Sequence, residues 1–372
     1  MSQPKPFHVE VSDSTIKDLY GRLDCARILP SSPNRSASGM TSGYLQELVE
    51  SWRQFDWRRR EQWLNTHPQF TVEVDEADIH FVHRRSEREE APTILVMHGW
   101  PHTFALQLDF ADLLQDFHVV VPSLPGFAYS SPYRSGEWST ERVAKTMHLL
   151  MTEVIGYESY LTYGEDISAD INDFIAARYP ESVAGIIATH AHIPAPEERG
   201  AFAAPDELAF FERLAAWNRT EGGYAHIQGT RPDTVAAGLN DSPAGLLAWI
   251  VEKLVEWSDT PVGDPRQVEK RISRERILTE AMIYWTTQSI ADSFRPYYES
   301  DDSSGGIASV TVPAAVFIQR HESDYPESFA RNYYQDLRVF ERLQEGGHFT
   351  VAEVPSVMAD HVRFFAMDLG LF

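Results

Sequence analysis

Ser159-Tyr-Leu-Thr-Tyr163, running directly into Gly164-Glu165-Asp166-Ile167-Ser168, is the stretch on which the fold turns. Its first half reads as a strand, its second half as a tight turn, and Ala169 to Arg178 beyond it as a helix. A strand, a sharp turn and a helix in that order push the central side chain of the turn out at the end of a sheet. Small residues at the first and fifth turn positions, Gly164 and Ser168, let strand and helix approach closely. The central side chain is a carboxylate, Asp166. By itself this turn is equally readable as a helix cap built from Gly164 and Asp166.

On either side of it the texture is that of a buried sheet. Thr93-Ile-Leu-Val-Met97 and Phe117-His-Val-Val-Val121 are nearly continuous apolar runs, as in strands covered on both faces. Val183 to Thr189 reads as another strand, and Glu141 to Ile155 as a helix. Alternation of this kind predicts a doubly wound α/β sheet. Residues from about 195 to 300 break it, with helix-period apolar residues at Phe210, Phe211, Leu214 and Trp217, then from Leu246 to Trp257. The loop Ser300-Asp-Asp-Ser-Ser-Gly-Gly306 leads back to strands at Val312 to Ile318 and Arg338 to Leu343.

A sheet interrupted by helices and then resumed predicts a lid over its C-terminal edge. The expected division is an N-terminal region over 1–85, the first part of the core over 86–194, a helical lid over 195–300 and the second part of the core over 301–372. Within the N-terminal region Ser14 to Leu23 and Gly43 to Leu64 each read as one helix. Phe70 to Val74 and Ile79 to His83 read as a hairpin.

The 372 residues carry 32 Lys and Arg against 55 Asp and Glu, a net charge of −23. That excess argues against binding phosphate backbones or anionic membranes, so no nucleic-acid partner is expected. The one cysteine, Cys25, rules out an intrachain disulfide framework and fits a reducing compartment. Met1 to Pro6 lacks a signal-peptide core, and no stretch approaches the ~18 to 20 apolar residues that span a bilayer. A soluble, cytoplasmic protein without a membrane anchor is the expectation, and no glycan is expected at Asn218-Arg219-Thr220.

Three further segments carry candidate chemistry. His98-Gly99-Trp100-Pro101 follows the strand at Thr93 to Met97 and can present the Trp100 N–H as an oxyanion donor, with His98 itself structural. Gly346-Gly347-His348-Phe349 follows the last strand, where a nucleophile–acid–histidine order places the histidine. The acid belongs after the preceding strand, in Arg320-His321-Glu322-Ser323-Asp324, where Glu322 and Asp324 both qualify. His190-Ala-His192 has spacing that suits the mouth of a pocket. Metal binding there is disfavoured for want of a third ligand.

The chain as a whole resembles epoxide hydrolases of the microsomal type, which have an α/β-hydrolase fold with a mostly parallel sheet, a helical cap and an N-terminal helical meander. Phe7 to Arg22, Trp57-Arg58 and Ile79-His80-Phe81 resemble the N-terminal region, and Pro122-Ser-Leu-Pro-Gly126 a turn of the core. Gly223-Tyr224-Ala-His226-Ile-Gln228, Thr230-Arg-Pro-Asp233 and Leu239-Asn-Asp-Ser-Pro243 resemble the lid, continued by Tyr284-Trp285 and Phe294-Arg-Pro-Tyr-Tyr298.

The resemblance implies Asp166 as nucleophile, His348 as base and, counting without a gap from Val312-Pro313, Glu322 as acid. It implies Tyr224 and Tyr297 as the lid tyrosines, with Tyr298 one residue out of step. The N–H groups of Trp100 and Ile167 would form the oxyanion hole, with Glu165, His190 and His192 around the pocket. Glu165 and Ile167 depart from the family pattern of Gly or His before the nucleophile and Trp after it. Glu165 is expected to face away along the turn.

The implied reaction is addition of water to an epoxide, giving a diol, with no cofactor and no metal. Its partners are the small epoxide and water, and a homodimer is compatible with the sequence. The alternatives are a haloalkane dehalogenase-like hydrolase and a non-hydrolytic epoxide-opening or binding protein of a biosynthetic pathway.

Overall fold

Nine strands build one sheet in a computed structural model that describes residues 3–32, 40–299, 307–322 and 324–372. They are β1 (Lys5–Phe7), β2 (Gln69–Val74), β3 (Ala77–Arg84), β4 (Thr93–Met97), β5 (His118–Pro122), β6 (Tyr160–Gly164), β7 (Val183–Ala188), β8 (Val310–Ile318) and β9 (Tyr334–Arg342). The order across the sheet is β1-β2-β3-β5-β4-β6-β7-β8-β9. From β5 to β9 every pairing is parallel, and β1 to β3 add an antiparallel edge. Strands β4, β5 and β6 are buried at every position, which is why they read as apolar runs without alternation. Strand β1 carries too little apolar sequence to announce itself; backbone pairing of Lys5–Phe7 to Gln69–Thr71 makes it a strand.

Register decides where the turns open. Met97 lies opposite Gly164, Gly164 opposite Ala188, and Ala188 opposite Val316. Four strands therefore end nearly level, and the turns after β4, β6, β7 and β8 share the C-terminal edge, the usual ligand edge of an open α/β sheet.

In the N-terminal region Ser12 caps the helix Asp13–Asp24. The stretch from Gly43 to Leu64, read as one helix, is two: Ser42–Arg53 and Trp57–Leu64. The break comes at Asp56, whose side chain accepts the Arg59 N–H and caps the second helix. Apolar periodicity continued across the break because both helices face the same core through Leu48, Val49, Trp52, Trp57 and Leu64. The segment Glu141 to Ile155 is helical, but only Thr140–Leu149 is α-helix. Its last turn, Leu150–Ile155, is π-helical and ends at Gly156 with φ 90°. The loop Ser300 to Gly306 lies outside the described residues.

Between β7 and β8 the main elements are the helices Pro205–Thr220, Gly223–Thr230, Pro232–Asp241, Pro243–Trp257, Arg274–Thr287 and Arg295–Tyr298. No helix among the described residues is long and apolar enough to cross a membrane. Helix Arg274–Thr287 buries Glu280, which accepts the backbone N–H of Thr103 at 2.7 Å and so pins the turn after β4. Burial raises this carboxyl from its ordinary 4.5 to about 8.

In the unfolded chain Glu280 loses its proton near 4.5, whereas the folded protein holds it to about 8. Its stabilising contribution is therefore full below about 4.5 and is lost as pH rises through about 8. Glu280→Gln should flatten the decline of Tm across that window, as measured by the wild-type minus variant difference in thermal melts. An unchanged pH slope would contradict a buried, protonated Glu280.

Candidate active site

Asp166 sits at the end of β6 with φ 57° and ψ −130°, a left-handed backbone that residues with a side chain rarely adopt. Two glycines make room for it. A methyl group on Gly164 would stand 2.1 Å from the Ser168 carbonyl oxygen, and one on Gly99 would stand 2.4 Å from the Asp166 Cβ. The Ser168 hydroxyl donates to the His98 carbonyl at 2.5 Å, tying this turn to the one after β4. Although Asp166 precedes the helix Ile167–Arg178, it makes no side-chain capping bond there. Its Oδ1 accepts the Trp100 N–H at 2.8 Å, and the Ile167 N–H faces the same carboxylate. Burial would raise its pKa, but these donors and His348 outweigh that and lower it.

His348 approaches from the turn after β9, with Nε2 3.1 Å from Asp166 Oδ2. Gly346 has φ 98°, and a methyl group on Gly347 would stand 2.5 Å from the Asp259 nitrogen, so both glycines are required where this turn meets the helical segment. The His348 N–H donates to the Trp257 carbonyl at 2.9 Å. Burial would lower the imidazole pKa; Asp166 and Glu322 raise it.

Glu322 Oε1 lies 3.8 Å from His348 Nδ1. Against the effect of burial, His348, His190 and His321 hold Glu322 down at about 2. Asp324, the other carboxylate that qualified by type, instead pairs with Arg213.

The remaining sequence candidates divide sharply. His190 is in the centre: its Nδ1 accepts the Asp166 N–H at 3.2 Å and its Nε2 lies 3.1 Å from His348 Nδ1. His192 is not. It stacks on Tyr333 at 3.7 Å, pairs with Glu198, and lines a separate cavity of about 290 Å³ with Asp170 and Asp173. Residues two apart on a regular strand would share a face, but β7 ends at Ala188 and both histidines lie in the irregular segment beyond it, so the pair does not converge on one pocket.

Glu165 is fully buried but does not line the pocket. It faces away from Asp166's cavity, with Oε1 3.0 Å from His102 Nε2 and Oε2 accepting the Tyr163 hydroxyl at 2.6 Å. His102 went unremarked in the sequence, since a histidine two residues beyond Trp100 has no pattern to mark it.

Tyr224 and Tyr297 come together from helices Gly223–Thr230 and Arg295–Tyr298. Tyr224 stacks on Trp100 at 5.2 Å, and Tyr297 meets both rings edge-on at 5.9 Å. Burial raises both phenol pKa values, and both feel the Asp166 charge. The Tyr297 hydroxyl is buried without a well-formed hydrogen bond. Tyr298 is 42% exposed and lies outside this cluster.

Asp166, His190, Glu322, His348 and Tyr224 line a cavity of about 390 Å³ whose other walls include Ile193, Phe210, Leu214, Trp217 and Trp257. His190, Glu322 and His348 bring their donor atoms within 4.8 Å, a grouping that could in principle surround a cation.

Known proteins share this architecture. The family model described as epoxide hydrolase N terminus matches residues 4–106, and that of the alpha/beta hydrolase fold matches 92–228. Epoxide hydrolase 1 of Oryctolagus cuniculus is 32% identical, with 97% of this chain and 88% of that protein covered. The chain belongs to the epoxide hydrolase family.

Epoxide hydrolase 1 of Sus scrofa is 31% identical over 97% of this chain and 88% of its own length. The crystal structure of juvenile hormone epoxide hydrolase from the silkworm Bombyx mori superposes with a TM-score of 0.88 at 27% identity, covering 99% of this chain and 95% of that one. The Aspergillus niger epoxide hydrolase gives 0.84 at 28% identity, covering 99% and 97%. Coverage of that extent takes in the helical segment as well as the sheet of this epoxide hydrolase.

Gly99→Ala and Gly164→Ala each drive a methyl group into the turn that carries Asp166. Each should cost about 1–3 kcal/mol of stability in denaturant unfolding, with a loss of epoxide turnover larger than the unfolded fraction explains. Full activity in either variant would show that the turn is not held this tightly.

Proposed function

We propose that this epoxide hydrolase works in two steps through a covalent ester on Asp166, beneath a lid formed by the helices between β7 and β8. The observation that carries the reading is the state of the Asp166 carboxylate. Oδ1 is occupied by the Trp100 N–H, while Oδ2 faces His348 at the floor of a largely apolar cavity.

In the first step Oδ2 attacks an epoxide carbon and the C–O bond on the far side breaks. An ionised carboxylate is a competent nucleophile, and its lowered pKa keeps it ionised below the ordinary carboxylate range. The leaving oxygen is strongly basic and takes a proton from a phenol. Tyr224 and Tyr297 are suited to this, because burial keeps them protonated at neutral pH.

In the second step His348 takes a proton from water, whose oxygen attacks the ester carbonyl. The N–H groups of Trp100 and Ile167 stabilise the oxyanion, and loss of one such donor typically costs ~3 kcal/mol. Glu322 supports the imidazolium. Ester formation removes the Asp166 charge that holds a proton on His348 Nε2, so that nitrogen becomes a better proton acceptor when it is needed.

The walls favour an apolar epoxide, with Phe210, Leu214, Trp217 and Trp257 around its non-reacting part. The charge of −23 and the single cysteine support a cytoplasmic setting.

A single turnover in oxygen-18 water tests the covalent route: label should enter Asp166 first and appear in the diol only in later cycles. Label in the first diol would sink it. Asp166→Ala should abolish turnover, and His348→Gln should accumulate the alkyl-enzyme, seen as a mass increase equal to the epoxide. Tyr224→Phe should slow ester formation by about tenfold to a hundredfold without stopping it, because a second phenol remains.

A further inference from the structure

His190 has no role in the two-step cycle just described, yet it touches both the nucleophile and the base. Its Nδ1 accepts the backbone N–H of Asp166 at 3.2 Å. A backbone amide can only donate, so His190 Nδ1 is bare and, in the neutral ring, the proton sits on Nε2. That N–H points at His348 Nδ1, 3.1 Å away.

A neutral His348 then accepts at Nδ1, which leaves its proton on Nε2, directed at Asp166 Oδ2 at 3.1 Å. The bonds form a closed circuit: Asp166 N–H to His190, His190 to His348, His348 to the Asp166 carboxylate. Glu322, at 3.8 Å from Nδ1, is outside hydrogen-bond reach.

A proton on His190 Nε2 and a cation among His190, Glu322 and His348 are mutually exclusive. A metal ligand offers a lone pair, and His190 Nε2 offers a hydrogen.

The groups facing the His348 ring come from three elements: Asp166 after β6, His190 after β7, and Glu322 with His321 after β8. The two carboxylates pull toward a proton on each ring nitrogen. His190 opposes the one on Nδ1.

We propose that His190 is a positioning residue that parks the His348 proton on Nε2, so that His348 starts the cycle as a donor to the nucleophile and becomes a base only after Nδ1 changes partner from His190 to Glu322. This rests on the covalent mechanism above. In the resting state the circuit aims Oδ2 at the epoxide. Ester formation turns Oδ2 into a poor acceptor, so the reason to keep a proton on Nε2 disappears. The imidazole then exchanges tautomer through pocket water, one proton leaving Nε2 and one arriving on Nδ1, with no net change of charge. Nδ1–H now donates to Glu322, and the bare Nε2 can take the proton of the hydrolytic water.

Nitrogen-15 NMR of imidazole-labelled enzyme reads the proton positions directly, with His348 assigned by loss of its signals in His348→Gln. The wild type should show His348 protonated on Nε2 and bare on Nδ1. His190→Met, which cannot donate, should shift the proton to Nδ1. His190→Gln, which retains an N–H toward Nδ1, should restore the wild-type pattern.

In rapid-quench kinetics His190→Met should slow ester formation by about fivefold, the effect of one neutral hydrogen bond, while ester breakdown is unchanged or faster. A wild-type His348 protonated on Nδ1 would overturn the proposal, as would formation and breakdown slowed by one common factor in His190→Met. Absence of any ester on wild-type Asp166 would instead defeat the covalent mechanism, and the NMR pattern would still judge His190.

Discussion

The left-handed backbone of Asp166 is the constraint around which this protein is arranged. A non-glycine residue at φ 57° and ψ −130° costs of order 1–3 kcal/mol and persists only where its surroundings impose it. Here the surroundings come from distant parts of the chain. Gly99 and Gly164 vacate the space a Cβ would fill, Ser168 anchors to the His98 carbonyl, and His190 takes the Asp166 N–H. The strained turn aims the carboxylate at the cavity, where Trp100 and His348 meet it. Relaxing it would turn Asp166 into an ordinary helix cap and leave those donors without a partner.

Buried carboxyl groups do much of the holding. Glu280 accepts the Thr103 N–H and fixes the turn after β4. Glu165 lies between His102 and Tyr163 and ties that turn to the end of β6. Glu353 accepts the N–H groups of Asp259 and Phe349, joining the helical segment to the turn that carries His348. Turns at a sheet edge leave backbone N–H groups that no ladder pairs, and a carboxylate can satisfy two at once. Site geometry and pH-dependent stability are therefore linked through the same side chains, since burial lifts Glu280 to about 8 and Glu353 to about 7.

Much of this was legible in the residues. Continuous apolar runs marked β4 and β5, helix-period aromatics marked the segment between β7 and β8, and Gly164 to Ser168 marked the elbow. The misreadings have physical causes. Asp56 ended a helix inside an unbroken apolar stripe, because a cap is a local hydrogen bond that periodicity does not register. Strand β1 exists through pairing with β2 and carries little apolar signal of its own. His192 looked equivalent to His190, and only the direction of each ring sends one to Asp166 and the other to Tyr333.

By itself the sequence determined the main strands and helices of the core, their order and the chemical identity of the groups at the strand ends, because these follow from periodicity, turn residues and side-chain type. Tertiary structure alone decided which groups meet. The level register of β4, β6, β7 and β8 brought Trp100, Asp166, His190 and Glu322 to one edge. Packing of the helical segment set Tyr224 and Tyr297 beside Trp100 while leaving Tyr298 exposed. Glu165 and Asp166 are adjacent carboxylates, and a single peptide unit in a left-handed turn sends one into the core against His102 and the other into the cavity against His348. That separation depends on space cleared by Gly99, which lies 67 residues before Asp166 in the chain and so near it in the fold that a methyl group there would stand 2.4 Å from the Asp166 Cβ.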